Sequence, residues 1–167
     1  MGEAQKDNAQ PILHWQERRI FRFVQSRSET DYIYFLDNNS GCNSFAGRPS
    51  SSQANLSQNG GFGSAVHEIG YAPGLWHEQS RLDRKSHIIV YSTRTTNPGQ
   101  FTKKSPAEGI DLGPYDFESI MHYGSCYFQN SDLPAMTRND GAIIDPGRRA
   151  LTDGDVYSAE LPYSNAS

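Results

Sequence analysis

The run H-E-I-G-Y-A-P-G-L-W-H-E, which begins at His67, constrains this chain more than any other feature of the sequence. His67 and Glu68 place a candidate metal ligand next to a candidate general base, and His77 supplies a second imidazole. Gly74, three residues before His77, can adopt the positive φ that ends a helix and turns the chain back towards a metal. Tyr71 stands four residues after His67, where the next turn of a helix presents its side chain on the same face. We therefore predict a helix whose C-terminal end carries a metal site with one unusual donor.

The spacing of these residues is typical of catalytic zinc. Such zinc has three protein ligands and a water, and two ligands on one helix must lie about one turn apart. A glutamate directly after the first ligand can accept a proton from that water. The third ligand must come from beyond the helix, which is the place of His77. Tyr71 fits this scheme only in part, because a phenol binds metal as phenolate and its ordinary pKa is about 10.

Length and charge favour one globular domain. The chain has 167 residues, of which 35% are hydrophobic and 20% charged, and a chain of this size can bury one core. We assign residues 1–9 to a loose leader and residues 10–167 to a single domain. A net charge of -4 gives no reason to expect nucleic acid as a partner, and no apolar run approaches the ~20 residues of a membrane span. The polar N-terminus does not match a signal peptide, so the chain is either cytosolic or lacks its leader.

The residue pattern predicts strands before the His-Glu pair and mostly loops after it. The predicted elements are a helix from Pro11 followed by a short strand start near Phe23, a strand over 31–36, a short edge strand over 53–57, a helix capped by Ser64, a strand over 87–91, and a final helix over 151–161 capped by Thr152 or Asp153. This distribution indicates an α+β fold with a cleft between residues 10–76 and 77–167. His14, in the first helix, is interpreted as a packed or surface histidine.

A second dense motif, S-I-M-H-Y-G from Ser119 to Gly124, makes the interpretation specific. With it, the chain resembles the astacin family of zinc metalloendopeptidases, within the metzincins. The family motifs read H-E-x-x-H-x-x-G-x-x-H-E and S-I-M-H-Y-G. The segments H-W-Q-E-R-R-I-F-R-F, D-Y-I-Y-F, S-G-C-N-S-F-A-G-R and L-T-D-G-D-V also match, so the likeness runs from about Ala9 to the C-terminus.

The resemblance implies a metzincin-like fold and one catalytic Zn²⁺. The fold would have an N-terminal twisted sheet with helices, an active-site helix, and an irregular C-terminal part containing the Met-turn. His67 and His77 would bind the zinc, with Tyr71 in the place of the family's second histidine. Met121 would form an apolar floor under the metal.

The resemblance also implies roles in catalysis and binding. Glu68 would be the general base that activates the zinc-bound water, and Tyr123 the tyrosine that can ligate zinc at rest and swing to stabilise the tetrahedral intermediate. Glu78 corresponds to the acid that receives the mature N-terminus in the family. Residues 53–57 would line the cleft and pair with an extended substrate. The expected partner is a protein or peptide substrate, and the expected protein is a secreted monomer.

Several positions depart from the family pattern. Tyr71 removes a zinc-binding nitrogen, and loss of a residue that merely orients a ligand already costs roughly 10–100-fold in metal affinity or activity. Pro73 falls in the last turn of the expected helix, where it would remove a hydrogen bond toward Ile69. Cys42 keeps its family position without its family partner, so it is either free or bonded to Cys126. The strands that precede the first helix in the family are expected to be missing.

These departures leave three alternatives. The chain is a zinc-dependent endopeptidase with an impaired metal site, or a catalytically inactive pseudopeptidase that binds peptides or proteins in the same cleft. The third alternative is a truncated product that does not fold stably.

Overall fold

The computed structural model describes residues 9–18, 21–30, 32–36, 43–44, 52–55, 61–147 and 150–164. Its helices are α1 (Ala9–Glu17), α2 (Gly61–Gly70) and α3 (Asp153–Glu160). Its strands are β1 (Ile33–Leu36), β2 (Asn43–Ser44), β3 (Ser52–Asn55), β4 (Ile88–Val90) and β5 (Met136–Arg138). Short 3-10 helices lie at Glu78–Ser80, Arg84–Ser86, Ser92–Arg94, Pro98–Phe101 and Leu161–Tyr163. This mixture of helices and small sheets confirms the predicted α+β class.

The first sheet has the strand order β1-β3-β2. β3 pairs in parallel with β1, in a register that sets Ile33 opposite Ser52, and antiparallel with β2 through Ala54 and Asn55. The prediction of an edge strand over 53–57 is therefore wrong for its described part, because Ala54 and Asn55 have a strand on each side. The sequence of β3, S-Q-A-N, is mostly polar, as that of an edge strand is, but Ala54 and Asn55 are buried.

The core forms where α1 packs on α2. Pro11 and Trp15 lie four residues apart, so they share one face of α1, and both are buried. The indole Nε1 of Trp15 donates a hydrogen bond to the carbonyl of Val66 in α2 at 3.0 Å. The same core contains Ile69 of α2 and Met121 of the distant second motif. α2 is thus packed against both α1 and the second motif.

The segment after α1 differs from its prediction. α1 begins at Ala9, slightly earlier than expected, and residues 21–26 pair with no strand among the described residues. The backbone amide of Phe23 donates to the side-chain oxygen of Gln16 at 3.0 Å instead of to a neighbouring strand. The ring of Phe23 packs against that of Phe35, with centroids 6.4 Å apart. Its apolar pattern reflects this packing, which sequence alone does not distinguish from strand pairing.

α2 begins three residues before its predicted N-cap. The prediction placed the start at Ser64 because serine is a favoured N-cap residue and a turn over residues 58–61 was expected before it. In the structure the helix starts at Gly61, and the ring of Phe62 packs edge-on against His14 with centroids 5.4 Å apart. Packing between α1 and α2 therefore extends the helix beyond what local propensity indicates.

Side chains of α1 bind the segment around α3. The amide of Leu151 donates to Nε2 of His14 at 3.1 Å, which confirms His14 as a packed histidine. The guanidinium of Arg18 donates to the Leu151 carbonyl at 3.4 Å and pairs with the Asp153 carboxylate at 2.5 Å. Residues separated by more than 130 positions in the chain, such as Arg18 and Asp153, are thereby brought together.

The C-terminal half is mostly irregular, as predicted. β4 and β5 form an antiparallel pair with Ile88 opposite Arg138, and a separate apolar cluster that includes Phe101 and Ile144 packs beneath the loops. α3 is capped by Thr152 in a full capping box, which confirms the predicted helix start. No helix in the described ranges is long and apolar enough to cross a bilayer.

Candidate metal and catalytic site

The end of α2 turns the chain towards the candidate site. The helix stops at Gly70, and the following turn is closed by hydrogen bonds from the Ala72 amide to the Ile69 carbonyl at 3.1 Å and from the Leu75 amide to the Gly70 carbonyl at 3.2 Å. Gly74 has φ +98°, as predicted for the residue that redirects the chain. Pro73 lies in this turn and not in the helix, so the predicted disruption of the helix by Pro73 is wrong.

The side chains of the three predicted ligands meet at this turn. The phenol oxygen of Tyr71 lies 3.2 Å from Nε2 of His67 and 2.5 Å from Nε2 of His77. The two imidazole rings stack with centroids 5.3 Å apart and planes inclined by 22°. Tyr71 therefore points into the site, and its oxygen lies between the two nitrogens that would bind a metal.

His67 is oriented by the backbone of the second motif. Its Nδ1 lies 2.8 Å from the carbonyl oxygen of Ile120, and both residues are buried. A carbonyl only accepts, so Nδ1 carries the proton and Nε2 of neutral His67 presents a lone pair towards Tyr71. Metal-binding histidines in proteins have this arrangement, in which one ring nitrogen donates to an oxygen and the other faces the ion.

The two imidazole nitrogens and the phenol oxygen fit zinc, although the phenol oxygen is the weakest of the three ligands. Among the described residues, no three His, Cys, Asp or Glu side chains are grouped to hold a metal, so a three-donor site must include the oxygen of Tyr71. Imidazole nitrogen is a usual zinc donor. A phenol oxygen can complete the set once its proton is lost, which makes the site weaker than one with three imidazoles.

The two predicted catalytic residues adjoin these donors, Glu68 in sequence and Tyr123 in space. Glu68 follows His67 in α2 and is 7% exposed. The ring of Tyr123 lies against that of His77, with centroids 4.2 Å apart. Its hydroxyl donates to Oε1 of Gln100 at 3.1 Å. The structure thus brings the side chains of His67, Tyr71, His77 and Tyr123 together, with Glu68 buried next to His67 in α2. Gln100 adds a partner that sequence reasoning missed.

Met121 packs against the end of α2. It is buried, and a methyl group added to Gly70 would lie 2.7 Å from its sulfur. The backbone amide of Glu78 also donates to the Met121 carbonyl at 3.1 Å. The Met-turn and the helix that carries His67 therefore touch without space for an additional carbon atom.

Replacing Gly70 by alanine is expected to lower the free energy of unfolding by about 1–3 kcal/mol, because the new methyl group overpacks a buried contact with Met121. Chemical denaturation measures this change. Gly99→Ala is the matched control, since an added methyl group there meets its nearest atom at 3.5 Å, an ordinary contact distance. Equal stabilities for the two variants would contradict the close contact.

Glu78 is a half-buried acid next to the second motif. Its carboxylate accepts from the Asp116 amide at 2.8 Å and pairs with the guanidinium of Arg81 at 3.3 Å. Burial nevertheless raises the pKa of Glu78 to about 7. The expected role of Glu78 towards an N-terminus is not tested, because residues 1–8 lie outside the described part of the chain.

This raised pKa predicts a pH-dependent stability. Between the ordinary value of 4.5 and about 7, the folded chain binds more protons at Glu78 than the unfolded chain does. The free energy of unfolding therefore falls as the pH rises through this window, by roughly 2–4 kcal/mol at 1.36 kcal/mol per pKa unit. Denaturation of the parent and Glu78→Gln between pH 4 and 8 tests this, because the variant should lose that part of the slope. Parallel stability curves would refute it.

Other contacts of the site carry no clear sequence signal. The carbonyl of Ile120 is a backbone group, which every residue has. His122 donates from Nδ1 to the Tyr123 carbonyl at 2.7 Å and accepts at Nε2 from the Tyr115 hydroxyl at 2.8 Å.

Cys126 is an exposed free thiol, which decides against a bond with Cys42, itself outside the described residues.

Comparison with known sequences gives one consistent family. The family model described as Astacin, a peptidase family, matches residues 2–164. Tolloid-like protein 1 of Homo sapiens is 34% identical over 166 residues, which are 92% of this chain and 16% of that protein. Zinc metalloproteinase nas-39 of Caenorhabditis elegans is 32% identical over 176 residues, with 99% of this chain and 19% of that protein covered. The chain therefore spans less than a fifth of the length of these two relatives.

A solved structure gives the corresponding result for the fold. High choriolytic enzyme 1, a hatching enzyme zinc-protease from Oryzias latipes, superposes with a TM-score of 0.87. The match covers 98% of this chain and 84% of that chain at 24% sequence identity. This likeness confirms the metzincin-like architecture that the two motifs predicted.

Proposed function

The chain belongs to the astacin family of metallopeptidases, and on that basis we propose that it is a zinc-dependent endopeptidase with a weakened metal site. One observation carries the proposal. Nε2 of His67 and Nε2 of His77 both lie within hydrogen-bonding distance of the oxygen of Tyr71, and Glu68, next to His67 in α2, is buried. Proteins or peptides are the proposed substrates.

In the proposed mechanism the site residues have three roles: metal binding, proton transfer and hydrogen bonding to the substrate. His67, His77 and Tyr71 would hold the zinc, which supplies Lewis-acid polarisation of the scissile carbonyl. Glu68 accepts a proton from the attacking water and then transfers it to the leaving amine. The hydroxyl of Tyr123, once it leaves Gln100, donates to the substrate oxygen as negative charge develops there.

The test measures metal and cleavage in the unmodified chain. The protein is dialysed against buffered zinc at neutral pH, its bound metal is determined, and casein digestion is followed with a chelator and after zinc is restored. We expect bound zinc and slow cleavage that the chelator abolishes and zinc restores. Absence of retained zinc together with absence of chelator-sensitive cleavage would refute the proposal.

A second function is favoured by the position of one atom. The phenol oxygen of Tyr71 lies within hydrogen-bonding distance of both imidazoles, so the site can be assembled without a metal. The chain would then be a pseudopeptidase that binds peptides in the cleft without cutting them. Peptide binding that is insensitive to chelator, with no cleavage, supports this function, and chelator-sensitive cleavage excludes it.

Family membership also supports proposals about context. We propose that the chain acts outside the cell as a monomeric peptidase domain over residues 10–167, with the cleft between residues 10–76 and 77–167. Size-exclusion chromatography with light scattering measures the oligomeric state. Limited proteolysis tests whether residues 1–9 are removed while the rest of the chain is retained.

A further inference from the structure

The carboxylate of Asp155 in α3 is buried and accepts several hydrogen bonds. One oxygen accepts from the hydroxyl of Ser119 at 2.6 Å, and the other accepts from the amides of Ile120 at 3.0 Å and Thr152 at 2.9 Å. Asp155 is 4% exposed. A helix cap needs only the bond to Thr152, so the two bonds to the second motif are additional.

The residue bound by Asp155 is the same one that orients His67. The amide of Ile120 donates to Asp155, and its carbonyl accepts from Nδ1 of His67 at 2.8 Å. Ile120 itself is fully buried. Three elements that are far apart in sequence are thus connected by consecutive hydrogen bonds, from α3 through the backbone of Ile120 to the imidazole in α2.

We infer that Asp155 is a positioning residue for His67, because it fixes the Ile120 carbonyl that holds the His67 proton on Nδ1 and leaves Nε2 facing the metal site. The inference rests on the proposed function in taking His67 as a metal ligand. The tautomer and orientation of the His67 imidazole, however, can be measured in the metal-free chain.

Ser119 strengthens the same connection. Its hydroxyl donates to Asp155 and accepts from the Met121 amide at 3.0 Å, so it braces the turn on the other side of Ile120. Without the carboxylate, the amide of Ile120 and the hydroxyl of Ser119 would be buried without this acceptor, and the turn would shift to satisfy them. Such a shift moves the carbonyl away from His67.

The experiment uses Asp155→Ala, with Asp155→Asn as the conservative variant and Asp153→Ala as the control. Asp153 lies in the same helix and carries the same charge, but its side chain is exposed. The readout is the long-range ¹H–¹⁵N spectrum of the imidazole nitrogens in metal-free protein, which reports which ring nitrogen carries the proton. Zinc affinity is measured in parallel.

We expect Asp155→Ala to shift the His67 signals away from the Nδ1-protonated pattern and to lower zinc affinity by about 10–100-fold. Asp155→Asn retains one acceptor oxygen and should restore most of the parent pattern, and Asp153→Ala should leave it unchanged. If the alanine variant does not fold, Ser119→Ala replaces it, with a smaller shift of the same kind. A folded Asp155→Ala or Ser119→Ala variant with the parent His67 spectrum would overturn the inference, as would an equal shift in Asp153→Ala. If the parent binds no zinc, the proposed function fails, and the metal-free spectrum alone decides the inference.

Discussion

Replacing Tyr71 by histidine is expected to raise the zinc affinity of the chain by roughly 10–100-fold or more, since even a residue that only orients a ligand has an effect of that size. Neutral imidazole binds zinc directly at physiological pH, whereas a phenol must first lose a proton with an ordinary pKa of about 10. Casein cleavage should rise with the fraction of chain that holds zinc. Competition with a chromophoric zinc chelator measures the affinity, and a fluorogenic casein assay measures the activity.

Tyr71→Phe is the matched control, because it keeps the ring and removes the oxygen. If the oxygen is a zinc ligand, this variant should bind zinc more weakly than the unmodified chain. If the oxygen instead keeps metal out of the site, the variant should bind zinc more tightly. Tighter binding by Tyr71→Phe would contradict the ligand role of Tyr71, and unchanged affinity in Tyr71→His would contradict the importance of this position.

Replacing Glu68 by glutamine is expected to lower the rate of casein cleavage by about 10²–10⁴-fold, the usual contribution of a positioned general base. Glutamine has nearly the same shape, but its amide cannot accept the proton of the attacking water. Zinc affinity should stay close to that of the parent, because Glu68 is proposed to contact the water. The rate is best measured in both the unmodified chain and the Tyr71→His background.

Glu118→Gln is a suitable companion, since it removes the same charge from an exposed position. It should leave the rate of cleavage unchanged. Equal rates for Glu68→Gln and its parent, at equal zinc content, would rule out Glu68 as the base. A loss of zinc in Glu68→Gln would instead make it a residue of the metal site.

Sequence patterns predicted the features that depend on local chemistry. Gly74 was identified because only a residue that accepts positive φ can redirect the chain there, and its φ of +98° agrees. The cap of the last helix was predicted as Thr152 or Asp153, two residue types favoured at that position, and Thr152 caps it. The convergence of His67, Tyr71 and His77 followed from their offsets along a helix and a turn.

Features that depend on packing or on backbone atoms were missed. Gly61 begins α2 because neighbouring side chains pack there, although its own propensity opposes a helix. Ala54 and Asn55 lie in a middle strand although its sequence, S-Q-A-N, is mostly polar, since strand order is set by pairing with distant residues. The carbonyl of Ile120 and the side chain of Gln100 act through position alone, so residue type gives no indication of their partners.

The hydrogen bonds that connect Leu151 with His14 and Arg18 have a consequence for synthesis of the chain. A nascent chain emerges from the ribosome N-terminus first, at about 5–20 residues per second. α1 therefore waits many seconds for partners that are encoded more than 130 residues later. During that interval its packing on α2 lacks this support, and the completed domain closes only after translation of α3. The segment around α3 is thus made well after α1 and completes the contacts of that helix.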